Sequence, residues 1–68
     1  MDNKLEAYRT RKGLTQQDLA DRVEVSRQTI ISLERGRYNP SILLAHRLAR
    51  EFGVSIEELF IFDKEEKK

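Results

Sequence analysis

The stretch from Thr15 to Gly36 constrains this chain more than any other. It holds two short helical patterns, each opened by a hydroxyl-bearing capping residue, Thr15 and Ser26. The connection from Val23 to Ser26 is short enough to force a tight turn and a steep helix crossing. Leu19, Ala20 and Val23 give the first pattern an inner face, and Ile30 and Leu33 do the same for the second. Ala20 is a small residue where two helices must approach closely, and Val23, Val25, Ile30 and Leu33 fill the space between them. The fold is therefore expected to be organised around a packed helical corner.

Three further helices flank it, and no strand pattern is convincing. Asn3, with Glu6 three residues on, predicts a capping box for a helix running to about Lys12, with Gly13 as its stop. Leu5 and Tyr8 are its inward candidates. Residues 36–40, Gly-Arg-Tyr-Asn-Pro, read as a loop. Ser41 caps a fourth helix that Gly53 stops, with an inner stripe of Ile42, Ala45, Leu48, Ala49 and Phe52 and with Leu44 alongside. Ser55 and Glu58 repeat the capping-box spacing and open a short fifth helix through Leu59 or Phe60. The expectation is a single all-α domain over residues 1–62, a compact five-helix bundle, followed by a charged tail at 63–68 expected to fray.

Composition narrows the class. The 68 residues are 37% charged, but the apolar residues are spaced periodically, as in a folded domain. There is no cysteine, hence no disulfide framework and no thiolate metal site. No apolar run approaches the ~18–20 residues of a membrane span. A cytoplasmic protein without membrane partner, small-molecule substrate or cofactor is expected. The net charge of +1 hides an asymmetry. Residues 1–50 carry ten Lys/Arg against six Asp/Glu, a balance of +4; residues 51–68 carry three against six, a balance of −3. The basic excess sits with the helical corner, as a phosphate-binding surface requires, although ordinary solvated surface would also read this way.

The outer face of the third helix carries the chemistry. At ~100° per residue, Arg27, Ile31, Arg35, Gln28 and Ser32 fall within an arc of roughly 140°, while Ile30 and Leu33 project to the opposite side. Arg can bond guanine at two acceptors, Gln can bond adenine with one donor and one acceptor, Ser suits several bases, and an aliphatic group meets the thymine methyl. A polar outer face on an amphipathic helix is common in itself; the support helix before it is what strengthens the reading. Gln16 and Gln17 stand at the N-terminus of that helix, where free N–H groups and the dipole favour a phosphate.

Taken together, Arg-Lys-Gly-Leu-Thr-Gln at 11–16, Leu-Ala at 19–20, Val-Ser-Arg-Gln-Thr-Ile at 25–30, Leu-Glu-Arg-Gly at 33–36, Asn-Pro-Ser at 39–41 and Phe-Gly-Val-Ser-Ile-Glu-Glu-Leu-Phe at 52–60 resemble the helix-turn-helix of the Cro-like, phage-repressor family. The resemblance covers residues 3–60 and implies a five-helix DNA-binding domain, used as a homodimer on a near-palindromic site. It implies base contacts from Arg27, Gln28 and Ser32, and often from the position of Ile31. Gln16 matches a backbone-phosphate contact, and Ser26, Arg35, Arg37 and Tyr38 lie where the family also grips the backbone. Arg9 and Glu34 match an ion pair that joins the first helix to the third. Three positions depart from the family pattern: Glu24 stands where Gly is common, His46 where a larger apolar residue is common, and Leu43 where a polar one is. A positive φ at Glu24 would cost on the order of 1 kcal/mol.

Other constellations point elsewhere less strongly. Phe60-Ile61-Phe62 is an apolar run in which Phe60 completes the core or, with Val54, Ile56, Ile61 and Phe62, contributes to a dimer seam. His46, the single histidine, lacks companions for metal binding or catalysis and is expected to pack at the edge of the fourth helix. Carboxylates do not cluster at ligand spacing, and there is no Gly-rich phosphate loop, so no enzyme is expected. The expected function is sequence-specific binding of double-stranded DNA by a transcriptional regulator. The rivals are a protein-interaction module of the same fold, such as an antitoxin or regulator adaptor, and a non-specific nucleoid-coating protein.

Overall fold

The computed structural model describes residues 1–62. Five helices follow one another: α1 (Leu5–Arg11), α2 (Gln16–Val23), α3 (Arg27–Glu34), α4 (Ile42–Phe52) and α5 (Ile56–Leu59). The expected frayed tail, 63–68, lies outside the described residues.

Four of the five helices start where a short oxygen-bearing side chain replaces a missing intrahelical partner. Thr15 accepts from the N–H of Asp18 while Asp18 reaches back to the Thr15 N–H, so α2 opens on a full capping box; Ser55 and Glu58 do the same for α5. Ser26 accepts from Thr29 N–H at 3.1 Å and Ser41 from Leu44 N–H at 3.1 Å. The first helix differs. Asn3 forms no box with Glu6: its Oδ1 accepts from Leu5 N–H at 3.0 Å, and its amide reaches across to α3. The cap oxygen serves the N–H two residues on instead of the one three residues on, and the amide nitrogen is left to hold α3.

The chain leaves α1 through α4 in one way. In α3 the Arg37 N–H returns to Ser32 O and the Gly36 N–H to Leu33 O, with Gly36 at φ +73°. This reuses carbonyls that the helix end would otherwise strand. After α2 the same turn is made by Glu24, at φ +64°, without glycine's freedom. The left-handed conformation costs a side chain on the order of 1 kcal/mol. Glu24 keeps it because Val25 N–H must reach Ala20 O, at 3.0 Å, for the corner to close.

Leu19, Ala20 and Val23 of α2 meet Ile30 and Leu33 of α3 in that corner, all of them buried. Leu5 packs from α1, Leu44 and Leu48 from α4, and Leu59 and Phe60 from the end of α5. Each large side chain in this set contributes about 1.5–3 kcal/mol by leaving water. Ala20, with no exposed surface, leaves no room for a larger residue at the crossing.

One placement corrects the expected pattern, and another falls on one of two expected sides. Ile42 was expected on the inner stripe of α4, yet it is 87% exposed. It shares the angular edge of Ala45 and Ala49 but stands on the first turn, and no other element covers it. Phe60 is 1% exposed. It fills the core of its own chain, held by an isolated bridge to Asn3, and so is not available to a dimer seam.

Candidate nucleic-acid interface

The interface is built on a half-buried ionic joint. Glu34, in the last turn of α3, receives Arg9 Nε at 2.6 Å and Arg9 Nη2 at 3.3 Å. Arg9 Nη1 donates to Leu14 O at 2.8 Å, and Gln16 Nε2 donates to Glu34 Oε1 at 3.1 Å. The Arg9 and Glu34 side chains are only 11% and 6% exposed. The hydrogen bond that Arg9 donates to Glu34 raises the Arg9 pKa; burial opposes this, and the charge of Glu34 reinforces it. Bidentate geometry and three further donors and acceptors lock α1, the start of α2 and the end of α3 into one rigid unit.

On this unit the nine expected DNA-contacting residues fall beside two grooves that flank α3. One groove is lined by Glu6, Gln16, Arg27, Ile31, Glu34 and Arg35. The other, of about 370 Å³, is lined by Ser26, Gln28, Thr29, Ser32, Arg37 and Tyr38. A larger open concavity of about 600 Å³ lies at the N-terminus of α2, between Arg9, Thr15, Gln16, Gln17 and Arg27. Arg27, Gln28, Arg35, Arg37 and Tyr38 are exposed; Ile31 and Ser32 are half-buried. The face is thus polar, basic and open, over an apolar underside of Ile30 and Leu33.

Two residues are already engaged. Gln16 is oriented by Glu34, which leaves one of its two amide N–H groups for a ligand. The Ser26 hydroxyl accepts the cap hydrogen bond and also meets Thr29 Oγ1 at 3.0 Å. Glu6 and Thr29 are lining residues that sequence reasoning missed. For Glu6 the signal was available: it lies three residues before Arg9, hence on the face of α1 that approaches α3.

The expected dimer residues divide. Val54, Ile56 and Phe62 are half-buried and pack against the core, and Ile61 is half-buried. Ile61 and Phe62 line a groove of about 370 Å³ with Lys4, Tyr8, Glu57 and Glu58. His46, expected at a packed edge, is exposed on the outer face of α4, because α4 turns Leu44, Ala45, Leu48 and Ala49 inward. Among the described residues no group of three or more His, Cys, Asp or Glu could hold a metal ion, and no helix is long and apolar enough to cross a membrane.

Two capped helices meeting at a closed corner, the second presenting hydrogen-bonding side chains beside a basic loop, define a DNA-binding helix-turn-helix domain. The helix-turn-helix family model matches residues 5–59, and the chain belongs to that family, of the Cro and phage-repressor type: it is a DNA-binding transcriptional regulator. It is similar to an uncharacterized HTH-type transcriptional regulator of Methanocaldococcus jannaschii, 53% identical over 66 residues, covering 97% of this chain and all of that one. It is 32% identical over 56 residues to the immunity repressor of Bacillus phage phi105, across 82% of this chain and 39% of the repressor. Among solved structures, the restriction-modification controller protein C.AhdI from Aeromonas hydrophila superimposes with a TM-score of 0.76 at 35% identity, over 84% of this chain and 86% of that one.

Proposed function

We propose that this protein is a sequence-specific regulator that binds double-stranded DNA as a homodimer, with α3 in the major groove of each half of a near-palindromic operator. Arg27, Gln28, Ile31 and Ser32 read base edges, since their functional groups match the donor, acceptor and methyl pattern exposed there. Gln16, Ser26, Arg35, Arg37 and Tyr38 contact the backbone and fix register. The observation that carries this reading is the joint at Arg9, Glu34 and Gln16. It holds a base-reading face and a phosphate-contacting amide in fixed relation. Regulation is steric: occupancy near a promoter blocks or guides polymerase. Such a protein works in the cytoplasm and needs neither cofactor nor catalytic group.

For the dimer we propose a seam from Val54, Ile56, Ile61 and Phe62, half-buried side chains with apolar surface left to cover. One observation favours a second reading, docking of another protein: Ile42 and Leu43 stand 87% and 58% exposed at the start of α4.

Selection of bound fragments from a random duplex pool tests the function. The expected outcome is a palindromic consensus with half-sites about 10–10.5 base pairs apart, or a multiple of that. Equal binding of all duplexes at fixed salt overturns sequence-specific reading in favour of a coating protein. A partner protein that protects the α3 face while DNA does not overturns it in favour of an interaction module.

A further inference from the structure

Residues 1–4 precede α1 and form no helix, yet they are tied on both sides. One side pairs with the end of α5 and the residues after it: Lys4 N–H donates to Leu59 O at 2.8 Å and Ile61 N–H donates to Asp2 O at 2.9 Å, an antiparallel bridge between Asn3 and Phe60. The other side holds the last turn of α3. Asn3 Nδ2 donates to Leu33 O at 2.7 Å, and the Met1 nitrogen donates to Gly36 O at 2.9 Å. The approach is close enough that a Cβ on Gly36 would stand 3.3 Å from Met1 O. The orientation of the Asn3 amide is forced by its partners. Leu33 O can only accept and Leu5 N–H can only donate, so the nitrogen must face α3 and the oxygen α1.

Leu33 O does not need this bond to avoid being stranded. It already accepts from Gly36 N–H at 3.0 Å, as part of the turn that ends α3. The Asn3 amide is therefore a second, tertiary hold on a helix end whose own termination is complete. It runs from the helix that carries the base-reading face to the segment that continues into Ile61 and Phe62. Two backbone hydrogen bonds, which together form the Asn3–Phe60 bridge, hold residues 2–4 to that segment, so a shift of either body relative to the other strains the Asn3 bonds.

We propose that Asn3 is a positioning residue for DNA reading: it sets α3 against the C-terminal segment, and so fixes the separation of the two reading helices in the dimer. This rests on the proposed reading of α3 as the base-contacting helix. The role requires the amide nitrogen specifically. Asn3→Asp keeps the shape and the acceptor for Leu5 N–H but sets an anionic oxygen against Leu33 O. Asn3→Ser keeps a cap oxygen on a side chain too short to span to α3.

The test uses the consensus duplex selected by the wild type, at a temperature where circular dichroism shows each variant fully helical. For Asn3→Asp the expected result is a loss of about tenfold or more on the consensus duplex, the scale of one mismatched base pair. Binding to random duplex and the slope of affinity against salt stay within twofold of wild type. The variant should also tolerate a one-base-pair change in half-site spacing that the wild type rejects. If Asn3→Asp does not fold, Asn3→Ser carries the same expectations. An unchanged ratio of consensus to random binding in a folded variant overturns the positioning role while leaving the proposed function intact, as does an equal loss on both duplexes. A wild type that selects no consensus removes the proposed function and the positioning role together.

Discussion

Removing Glu34 should cost the domain a large share of its stability. A domain of 68 residues is stable by about 3–10 kcal/mol. Glu34→Ala leaves the Arg9 guanidinium, 11% exposed, facing Gln16 without its carboxylate partner. Loss of one partner of a buried pair costs about 3–5 kcal/mol. Both side chains keep a sliver of solvent contact, which places this pair at the lower end, about 3 kcal/mol. Arg9→Ala should cost a similar amount, because the Glu34 carboxylate then keeps only the Gln16 amide. The double variant Arg9→Met with Glu34→Leu removes both charges and fills the space. It should lie within about 1 kcal/mol of wild type, since apolar replacement of a buried pair is often neutral. Urea titration followed by circular dichroism measures this. With a slope of about 1 kcal/mol per molar, each single variant should lose about 3 M in midpoint or begin unfolded. Single losses below about 1 kcal/mol, or a double loss equal to the sum of the two, would refute the half-buried joint as the element that ties α1 to α3.

Three further outcomes are expected. Arg27→Ala should cost about 1–3 kcal/mol at one operator position and relax preference there, whereas Arg37→Ala should weaken all duplexes alike and reduce the salt slope by about one; competition binding at several salt concentrations separates them. Glu24→Gly should gain stability, by under about 1 kcal/mol, because it relieves the left-handed strain and gives up only a 3.4 Å exposed pair with Arg47; a lower melting temperature would contradict this. Burial raises the Glu51 pKa, but the hydrogen bonds and charges of Lys12 and Arg22 outweigh it and hold the carboxyl below its ordinary range. The folded pKa lies below the unfolded one, so this stabilisation is present above the unfolded value of about 4.3 and lost as pH falls through the folded one; Glu51→Gln should flatten the acid limb of the stability profile measured by thermal melts.

The helix starts were legible because capping is local. Thr15, Ser26, Ser41 and Ser55 bond to N–H groups three residues away, and no tertiary contact is needed to place them. The corner at Val23–Ser26 and the polar face of α3 were legible for the same reason, since helical pitch alone separates Arg27, Gln28 and Ile31 from Ile30 and Leu33. The pairing of Arg9 with Glu34, 25 residues apart, came from resemblance rather than from spacing.

What the sequence determined by itself is thus the order of the helices, their caps and the chemistry of the outward face of α3, all properties decided within a few residues of each position. The tertiary structure alone decided which apolar residues are covered and which polar ones are shared. Ile42 has the right angle for the core but no neighbour over its turn, and Phe60 lies inside because a bridge to Asn3 turns it inward. Asn3 turns its oxygen to Leu5 N–H and its amide nitrogen to Leu33 O, and only the packing of α3 beside residues 1–4 supplies that second partner. Periodicity sets direction along one helix; coverage depends on where the others come to rest.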